Sequence, residues 1–200
     1  MNRPYTLAAL ALLTLTAGCA ANTDDQNDPV VDSDESELTS DGNRSDYTLL
    51  TEKNCFVKFT DGDEAPIAES YCGGRGGYSL YIFDGDDRQA VSTIYGKKTT
   101  ELRNVEAVNY AFTYLGEKAE WRASQKDPNN PFALIFRQFV SGEPVIKSKS
   151  MLVVAKLNKG SACIFKIIDA AKHADANQLA RNASNAALKG TCPKTLPKPE

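Results

Sequence analysis

The chain has 200 residues, a formal net charge of −3 and 42% hydrophobic residues. One histidine and five cysteines leave few side chains for metal binding or nucleophilic catalysis. The charge is uneven: residues 20–46 carry nine Asp or Glu and one Arg, whereas residues 47–200 carry 21 Lys or Arg against 17 Asp or Glu, a net charge of +4. A basic body favours an acidic partner, although a small imbalance is also typical of an ordinary soluble surface.

The first 18 residues have the pattern of a secretory signal peptide. Arg3 makes the start positive, residues 7–15 form an apolar run too short to span a bilayer, and small residues precede Cys19. The sequence TAGC at 16–19 resembles the lipobox of bacterial lipoproteins, with Thr where that family favours Leu. The resemblance implies that Cys19 is acylated as the mature N-terminus and that Ala20 directs the protein to the outer membrane. A plain secretory signal with a spare cysteine is the alternative.

Three further segments follow from composition. Residues 19–46, the acylated cysteine and an acidic stretch without aromatic residues, are predicted to form a disordered tether, because they hold too little apolar surface to offset the entropy of ordering. Residues 47–192 are long enough for one domain with a core. Residues 193–200 hold three prolines and three charges and are predicted to be a disordered tail.

Apolar alternation predicts a mainly β domain. The predicted strands are 54–59, 78–83, 90–95, 108–115, 119–123, 132–140, 145–157 in whole or part, and 162–168. Turn residues at 61–63, 84–86, 115–118 and 141–144 separate most of them. Because short connections join antiparallel neighbours, we expect an α+β fold: an antiparallel meander, strongly curved or closed into a barrel-like sheet, with one C-terminal helix packed on it. Residues 96–107 are too polar to predict more than a short helical turn.

The clearest elements lie between residues 151 and 190. MLVVAKL (151–157) and ACIFKII (162–168) are apolar on both faces, which predicts a hairpin that is central or covered on both sides. Alanines then recur at helical spacing over 175–189, so we expect a helix lying close to the sheet. Asp175 and Gln178 predict a capping box, and Gly190 a C-terminal cap.

Four cysteines remain when Cys19 is assigned to the lipid. They are Cys55, Cys72, Cys163 and Cys192. An even number in an exported domain predicts two disulfides, for which three pairings are possible. We expect Cys55–Cys72 and Cys163–Cys192, since each closes a compact unit. A zinc site is the alternative, but the chain has no C-x-x-C pair and one histidine. We therefore predict no metal and no cofactor.

The segment Gly73-Gly74-Arg75-Gly76-Gly77 is unusual. Four glycines around one arginine predict a mobile loop that holds the guanidinium away from the body, suited to entering an acidic cleft of a partner. A phosphate cradle would need a following helix, and a nucleic-acid segment would need repeats. We expect no nucleic-acid partner, and a simple flexible connection is the alternative.

The remaining candidates for chemistry are weaker. Acidic turns at 61–64 and 84–87 suggest calcium, but neither follows the ligand order of an EF-hand, and hairpin turns use the same residues. His173 and Glu120 are the candidates for acid–base catalysis, without a nucleophile motif beside them.

Two sets of strand aromatics attract attention. Tyr110, Phe112 and Tyr114 share one strand face, and Phe132 and Phe136 share another. We expect both sets in the core, with a ligand groove as the alternative.

These features predict a non-enzymatic outer-membrane lipoprotein whose domain faces the periplasm or the cell surface and binds an envelope protein or glycan. One alternative is an inhibitor of a secreted lytic enzyme such as lysozyme, acting through Arg75. Another is a periplasmic hydrolase using His173 or Glu120. The stretch from DANQLAR (175–181) to Cys192 resembles exported proteobacterial proteins of unknown activity, and this resemblance implies no activity.

Overall fold

The computed structural model describes residues 36–61, 66–108, 112–141 and 149–200, all within one compact unit. These residues form eleven strands of one sheet and two helices. Their bounds are β1 Ser36–Leu38, β2 Asn43–Leu49, β3 Cys55–Thr60, β4 Ile67–Cys72, β5 Tyr78–Gly85, β6 Arg88–Tyr95, β7 Lys98–Glu101, α1 Asn104–Ala107, β8 Phe112–Ser124, β9 Asp127–Ser141, β10 Lys149–Asn158, β11 Ser161–Asp169 and α2 Ala176–Lys189. The expectation of a mainly β domain with a C-terminal helix is confirmed; β1, β2, β4 and β7 were not predicted.

The sheet is mixed and open. Its strand order is β11-β10-β9-β8-β6-β5-β4-β3, with β1 on β2, β2 on β8, and β7 on β6. Within the described ranges the pairings are antiparallel except for one parallel bridge between Arg88 of β6 and Thr113 of β8. The expectation of a strongly curved or barrel-like antiparallel sheet is confirmed only in part: the sheet is not closed, because β3 and β11, which end the path, do not pair with each other.

A β-bulge, and not a turn, occupies residues 116–118. Leu115 pairs with Gln138 and Ala119 with Phe136, so β8 holds two more residues than the facing part of β9. The predicted turn at 115–118 is wrong because β9 continues unbroken opposite it and keeps both halves of β8 in one strand. A bulge of this kind bends its strand and increases the local twist.

The core has two parts, on opposite faces of β9, β10 and β11. The larger part joins side chains of β4–β6, such as Leu80, to those of β8–β11, such as Trp121 and Val153. Since β7 also contacts β11, the sheet folds over itself around this part. The smaller part packs Leu152 and Val154 against α2. The prediction of a hairpin apolar on both faces is therefore confirmed.

Small residues place α2 close to the sheet. The buried residues of the helix include Ala176, Ala180, Ala183 and Ala187, as the alanine spacing predicted. Removing apolar surface from water stabilises this contact. At the end of the helix, the Lys156 ammonium donates to main-chain carbonyls of the last turn. A cation at this position also interacts favourably with the helix dipole.

The predicted capping box is not formed: the Asp175 side chain makes no capping hydrogen bond, and Gln178 Nε2 donates to Asn182 Oδ1 at 3.0 Å. Gly190 does cap the C-terminus of the helix, and its amide donates to the Ala186 carbonyl at 2.9 Å. Its backbone is extended (φ −77°) and not left-handed. A Cβ at this position would lie 2.7 Å from the ring of Phe165, which would have to shift.

Both predicted disulfides are present. Cys55 and Cys72 are directly opposite each other in the β3–β4 ladder, and their bond closes that hairpin. Cys163 of β11 is bonded to Cys192, just beyond α2. By limiting the unfolded chain, each contributes about 2–4 kcal/mol.

Both ends of the predicted domain need correction. Residues 36–46, which composition assigned to the disordered tether, form β1 and the start of β2; residues 1–35 lie outside the described part. The predicted disordered tail lies against β11 instead. The Glu200 main chain hydrogen-bonds with Ile167 and Asp169 (3.2 and 2.9 Å), and Leu196 packs on the larger core. Unpaired groups along the edge of β11 thus find partners in the tail.

The acidic segment folds because of a buried guanidinium. Arg122 of β8 is fully buried, with 0% side-chain exposure. Its Nη2 donates to Asp41 Oδ2 at 2.6 Å, and its Nη1 donates to the hydroxyls of Thr39 (2.9 Å) and Ser45. A buried charge is costly unless it is paired and hydrogen-bonded. Thr39, Asp41 and Ser45 supply these partners to Arg122, and the same bonds hold them to the sheet.

Asp41 is equally well surrounded. Asn185 of α2 donates to its Oδ2 at 2.7 Å, and the Asn43 amide and the Thr39 hydroxyl donate to its Oδ1 at 3.0 and 2.6 Å. Burial acts to raise the pKa of this carboxyl, but the hydrogen bonds and the charge of Arg122 outweigh burial and hold the pKa well below its ordinary value of 3.8. The ionised form of Asp41 is therefore the stable one in the folded chain.

We expect Asp41→Asn to lower the free energy of unfolding at neutral pH by about 2–3 kcal/mol, because the buried Arg122 then keeps, among the described residues, only Glu120, 3.5 Å away and paired with Arg181, as a counter-charge. The folded pKa of Asp41 lies below the unfolded one, so its contribution is complete above the unfolded pKa and is lost as pH falls towards the folded pKa. Urea unfolding measured from about pH 6 down to about pH 2 should show that the difference in unfolding free energy between wild type and Asp41→Asn becomes smaller as pH falls. Asp127→Asn, at an exposed position, is the control. A gap independent of pH would contradict this account.

Candidate functional site

The DGDD turn joins β5 to β6 as a tight hairpin. Gly85 pairs with Arg88, and the two loop residues Asp86 and Asp87 are both left-handed (φ 53° and 54°). Aspartate tolerates this conformation, which the two-residue hairpin turn of type I′ requires. The Asp87 carbonyl accepts a hydrogen bond from the Thr113 amide at 2.9 Å, and this bond holds the turn beside the start of β8.

A cleft of about 330 Å³ opens where this hairpin meets β8. It brings together two carboxylates, an amide, hydroxyl groups and two aromatic rings. The lining residues are Asp84, Asp87, Gln89, Phe112, Thr113, Tyr114 and Ser141. Ligand sites in proteins typically combine a few fixed polar groups with apolar or aromatic walls, so this cleft is the candidate site.

Hydrogen bonds fix the polar wall. Gln89 Oε1 accepts from the Leu115 amide at 2.6 Å, so its NH₂ group points to Asp84 and donates to Oδ2 at 2.7 Å. The main-chain amide of Gln89 donates to the Thr113 hydroxyl at 3.2 Å. These bonds link β6 to β8 and orient Asp84 before any ligand arrives. Preorganisation of this kind lowers the entropic cost of binding.

The aromatic wall is exposed. Phe112 and Tyr114 have 45% and 46% of their surface accessible. Tyr114 stacks on Phe139, with 4.8 Å between ring centroids, and the Arg88 guanidinium lies 5.7 Å from the centroid of Phe112. The expectation that these two rings belong to the core is wrong, because Leu115 packs on the core and alternation turns Phe112 and Tyr114 to the opposite face.

The other aromatic predictions divide. Phe132 and Phe136 are buried, as expected. Tyr110 lies outside the described residues.

Glu120 joins α2 to the sheet through hydrogen bonds and an ion pair. The Arg181 Nε and the Ser45 hydroxyl both donate to its Oε1, the former at 2.9 Å, and Arg122 lies 3.5 Å away. Arg181 also donates to the Tyr47 hydroxyl at 2.9 Å. Burial first, and then the charge of Glu120, raise the pKa of Tyr47 to about 12. Glu120 is thus a stabilising partner between β8 and α2.

His173 lies between β11 and α2, half-buried, with its carbonyl accepting from the Ala176 amide at 3.2 Å. Neither His173 nor Glu120 lines the cleft.

The glycine loop lies against the body, contrary to the prediction of a mobile, projecting loop. Arg75 is half-buried and donates to the Tyr47 carbonyl at 3.5 Å. At Gly74 a Cβ would lie 2.3 Å from the Tyr78 carbonyl oxygen, and at Gly76 it would lie 2.3 Å from that of Asn129. The glycines permit close backbone approach, which is a packing role that composition alone did not indicate.

Metal ligands are not gathered anywhere in residues 36–61, 66–108, 112–141 and 149–200: no group of three or more His, Cys, Asp or Glu is placed to hold an ion. The acidic turn at 61–64 falls mostly outside the described part. Neither described helix has the length and apolar character needed to cross a bilayer.

Three residues of the cleft were missed by sequence reasoning: Gln89, Thr113 and Ser141. They are ordinary polar strand residues, and no local pattern distinguishes them. Asp84 and Asp87 had been noticed as a turn, and Phe112 and Tyr114 as strand aromatics. Their meeting depends on the contact between β6 and β8, which are not consecutive strands.

No protein-family model, curated protein or solved structure matches the chain. The candidate site is therefore defined by its own geometry.

The packed glycine loop makes a direct prediction. We expect Gly76→Ala to destabilise the fold by about 2–3 kcal/mol, since the position has φ +60° and its Cβ would meet Asn129 and Pro131 at 2.3 and 2.4 Å. Gly73→Ala is the matched control, because nothing lies within 4 Å of a Cβ there. Thermal unfolding should show a lower Tm for Gly76→Ala alone. If both variants had the same Tm as wild type, the packing of the glycine loop would be contradicted and the prediction of a mobile loop would stand.

Proposed function

We propose that the chain is an exported, lipid-anchored and non-enzymatic binding module of the bacterial envelope. Its ligand enters the cleft between the DGDD turn and β8. The observation that carries the proposal is the convergence of two exposed rings, Phe112 and Tyr114, with the hydrogen-bonded carboxylate of Asp84 in one concave site.

The chemistry of the cleft favours binding over catalysis. Among the described residues that line it, the hydroxyls of Thr113 and Ser141 are accompanied by the carboxylates of Asp84 and Asp87, and no imidazole, amine or thiol lies with them. The acid–base candidates are elsewhere, since Glu120 is paired with Arg181 and His173 is not a lining residue. We therefore keep the hydrolase as the less favoured function.

The inhibitor alternative loses its main support. A probe for a partner's active-site cleft has to project, whereas Arg75 is held against the Tyr47 main chain. The binding face is accordingly placed at the cleft and not at the glycine loop.

Export is supported by the covalent structure. Disulfides such as Cys55–Cys72 and Cys163–Cys192 persist in oxidising compartments and are rare in the cytosol. Together with the resemblance of TAGC to a lipobox, they favour acylation at Cys19 and an outer-membrane location facing the periplasm or the cell surface. Several acyl chains on one residue anchor a protein stably, since a single chain binds only marginally.

Lipidation is tested by metabolic labelling with palmitate. We expect the chain to incorporate label and to fractionate with the outer membrane, and Cys19→Ser to lose both properties. Ala20→Asp is the matched control: it should keep the label and move the protein to the inner membrane, because the residue after the cysteine is what the lipoprotein family uses for sorting. An unlabelled wild-type chain would refute the anchor.

Binding through the cleft is tested by co-sedimentation with isolated peptidoglycan and with outer-membrane fragments, using purified protein that carries Cys19→Ser so that the acyl anchor does not itself carry it to the membrane. We expect the double variant Phe112→Ala, Tyr114→Ala to weaken binding about tenfold, since truncating exposed aromatic contacts removes the main apolar part of the site.

The matched control removes two exposed rings from another face. Phe56 and Tyr71, on β3 and β4, are 70% and 43% exposed and belong to a separate row of aromatic side chains. The Phe56→Ala, Tyr71→Ala variant should bind like wild type. Equal loss in both double variants, or loss in the control alone, would move the binding face away from the cleft.

A further inference from the structure

We infer that the cleft recognises a positively charged group on its ligand, a primary amine or a guanidinium. This inference rests on the proposed binding function of the cleft and names the chemistry that the site selects.

The first argument is charge. Among the residues that the structure describes, the ionised side chains that line the cleft are Asp84 and Asp87, and both are negative. With Asp86 on the same turn and Arg88 beside it, residues 84–88 hold three carboxylates against one guanidinium, a local charge of −2. Asp86 and Asp87 are exposed, whereas Asp84 is half-buried beside the aromatic wall, where the effective dielectric is lower than in bulk water and the attraction for a cation is stronger.

The second argument is hydrogen-bonding capacity. Gln89 donates one N–H to Asp84 and accepts from the Leu115 amide, which leaves it a single further N–H to donate. A carboxylate only accepts, and it has about four acceptor positions, of which the bond to Gln89 uses one. The cleft therefore offers acceptors in excess of donors. An ammonium or guanidinium, which donates several hydrogen bonds and accepts none, matches this set better than a neutral sugar hydroxyl does.

The third argument is that the aromatic wall already receives a cation. The Arg88 guanidinium lies 5.7 Å from the centroid of Phe112 and is paired with the Asp86 carboxylate. This contact is a cation held between a ring and an acid of the same turn, at the edge of the cleft. Tyr114, fixed by stacking on Phe139, extends the aromatic surface beside Asp84 and Asp87. A cation near such rings gains a further electrostatic attraction.

The test is a titration of the purified chain, followed by NMR at the amides of Gln89, Thr113 and Tyr114. Two pairs of probes separate charge from shape: Nα-acetyl-lysinamide against neutral Nα-acetyl-norleucinamide, and methyl glucosaminide against methyl glucoside. We expect each cationic probe to bind at least about tenfold more tightly than its neutral partner. The relative affinities of the two cationic probes show whether the cleft prefers the amine of a peptide side chain or that of an amino sugar.

Variants confirm the place of binding. Asp84→Asn and Asp87→Asn should each reduce the preference for the cationic probes, and added salt should weaken their binding. Asp127→Asn, an exposed carboxylate between β8 and β9, should have no effect.

Equal binding of cationic and neutral probes, or no shift at the cleft amides with any probe, would overturn the charge inference. Neither result would remove the proposed function, which is tested separately by the sedimentation of the Phe112→Ala, Tyr114→Ala variant and its control with envelope material.

Discussion

The burial of one guanidinium organises much of this domain. Arg122 has no access to water, and its charge is acceptable because Thr39, Asp41 and Ser45 accept its hydrogen bonds and the Glu120 carboxylate lies 3.5 Å away. Asp41 in turn accepts from Asn185, so the cluster joins the N-terminal hairpin, the middle of the sheet and α2. An acidic segment that would be disordered by composition becomes structure because its carboxylate is the counter-charge of a buried cation.

The same strand connects this cluster to the candidate site. β8 pairs with β9 along its length, with β2 near Arg122, and with β6 near Thr113. The N-terminal end of β8 carries the two exposed rings, Phe112 and Tyr114. The cleft thus lies where the two parts of the folded sheet meet, and its walls belong to paired strands. A site on such elements is held more precisely than one on a loop.

Polar residues in this molecule divide into two uses. Around α2, Glu120 and Arg181 form an ion pair that joins the helix to the sheet. At the DGDD turn, Asp84 is oriented by Gln89 while the nearby charge stays in excess. The first arrangement is typical of a stabilising ion pair, and the second is typical of a site that binds a positively charged ligand.

The sequence by itself determined the features that depend on local order and on counting. Alternation predicted the hairpin of β10 and β11, alanine spacing predicted α2, and the even number of cysteines predicted two disulfides with the pairing that is found. Only the tertiary structure decided the folding of residues 36–46, the bulge in β8, the packed glycine loop and the cleft. Each depends on partners far apart in the chain: Arg122 and Asp41 are separated by 81 positions, and Gln89 and Leu115 by 26. Local propensity carries no information about such pairs, because their energy arises only when distant strands are brought together.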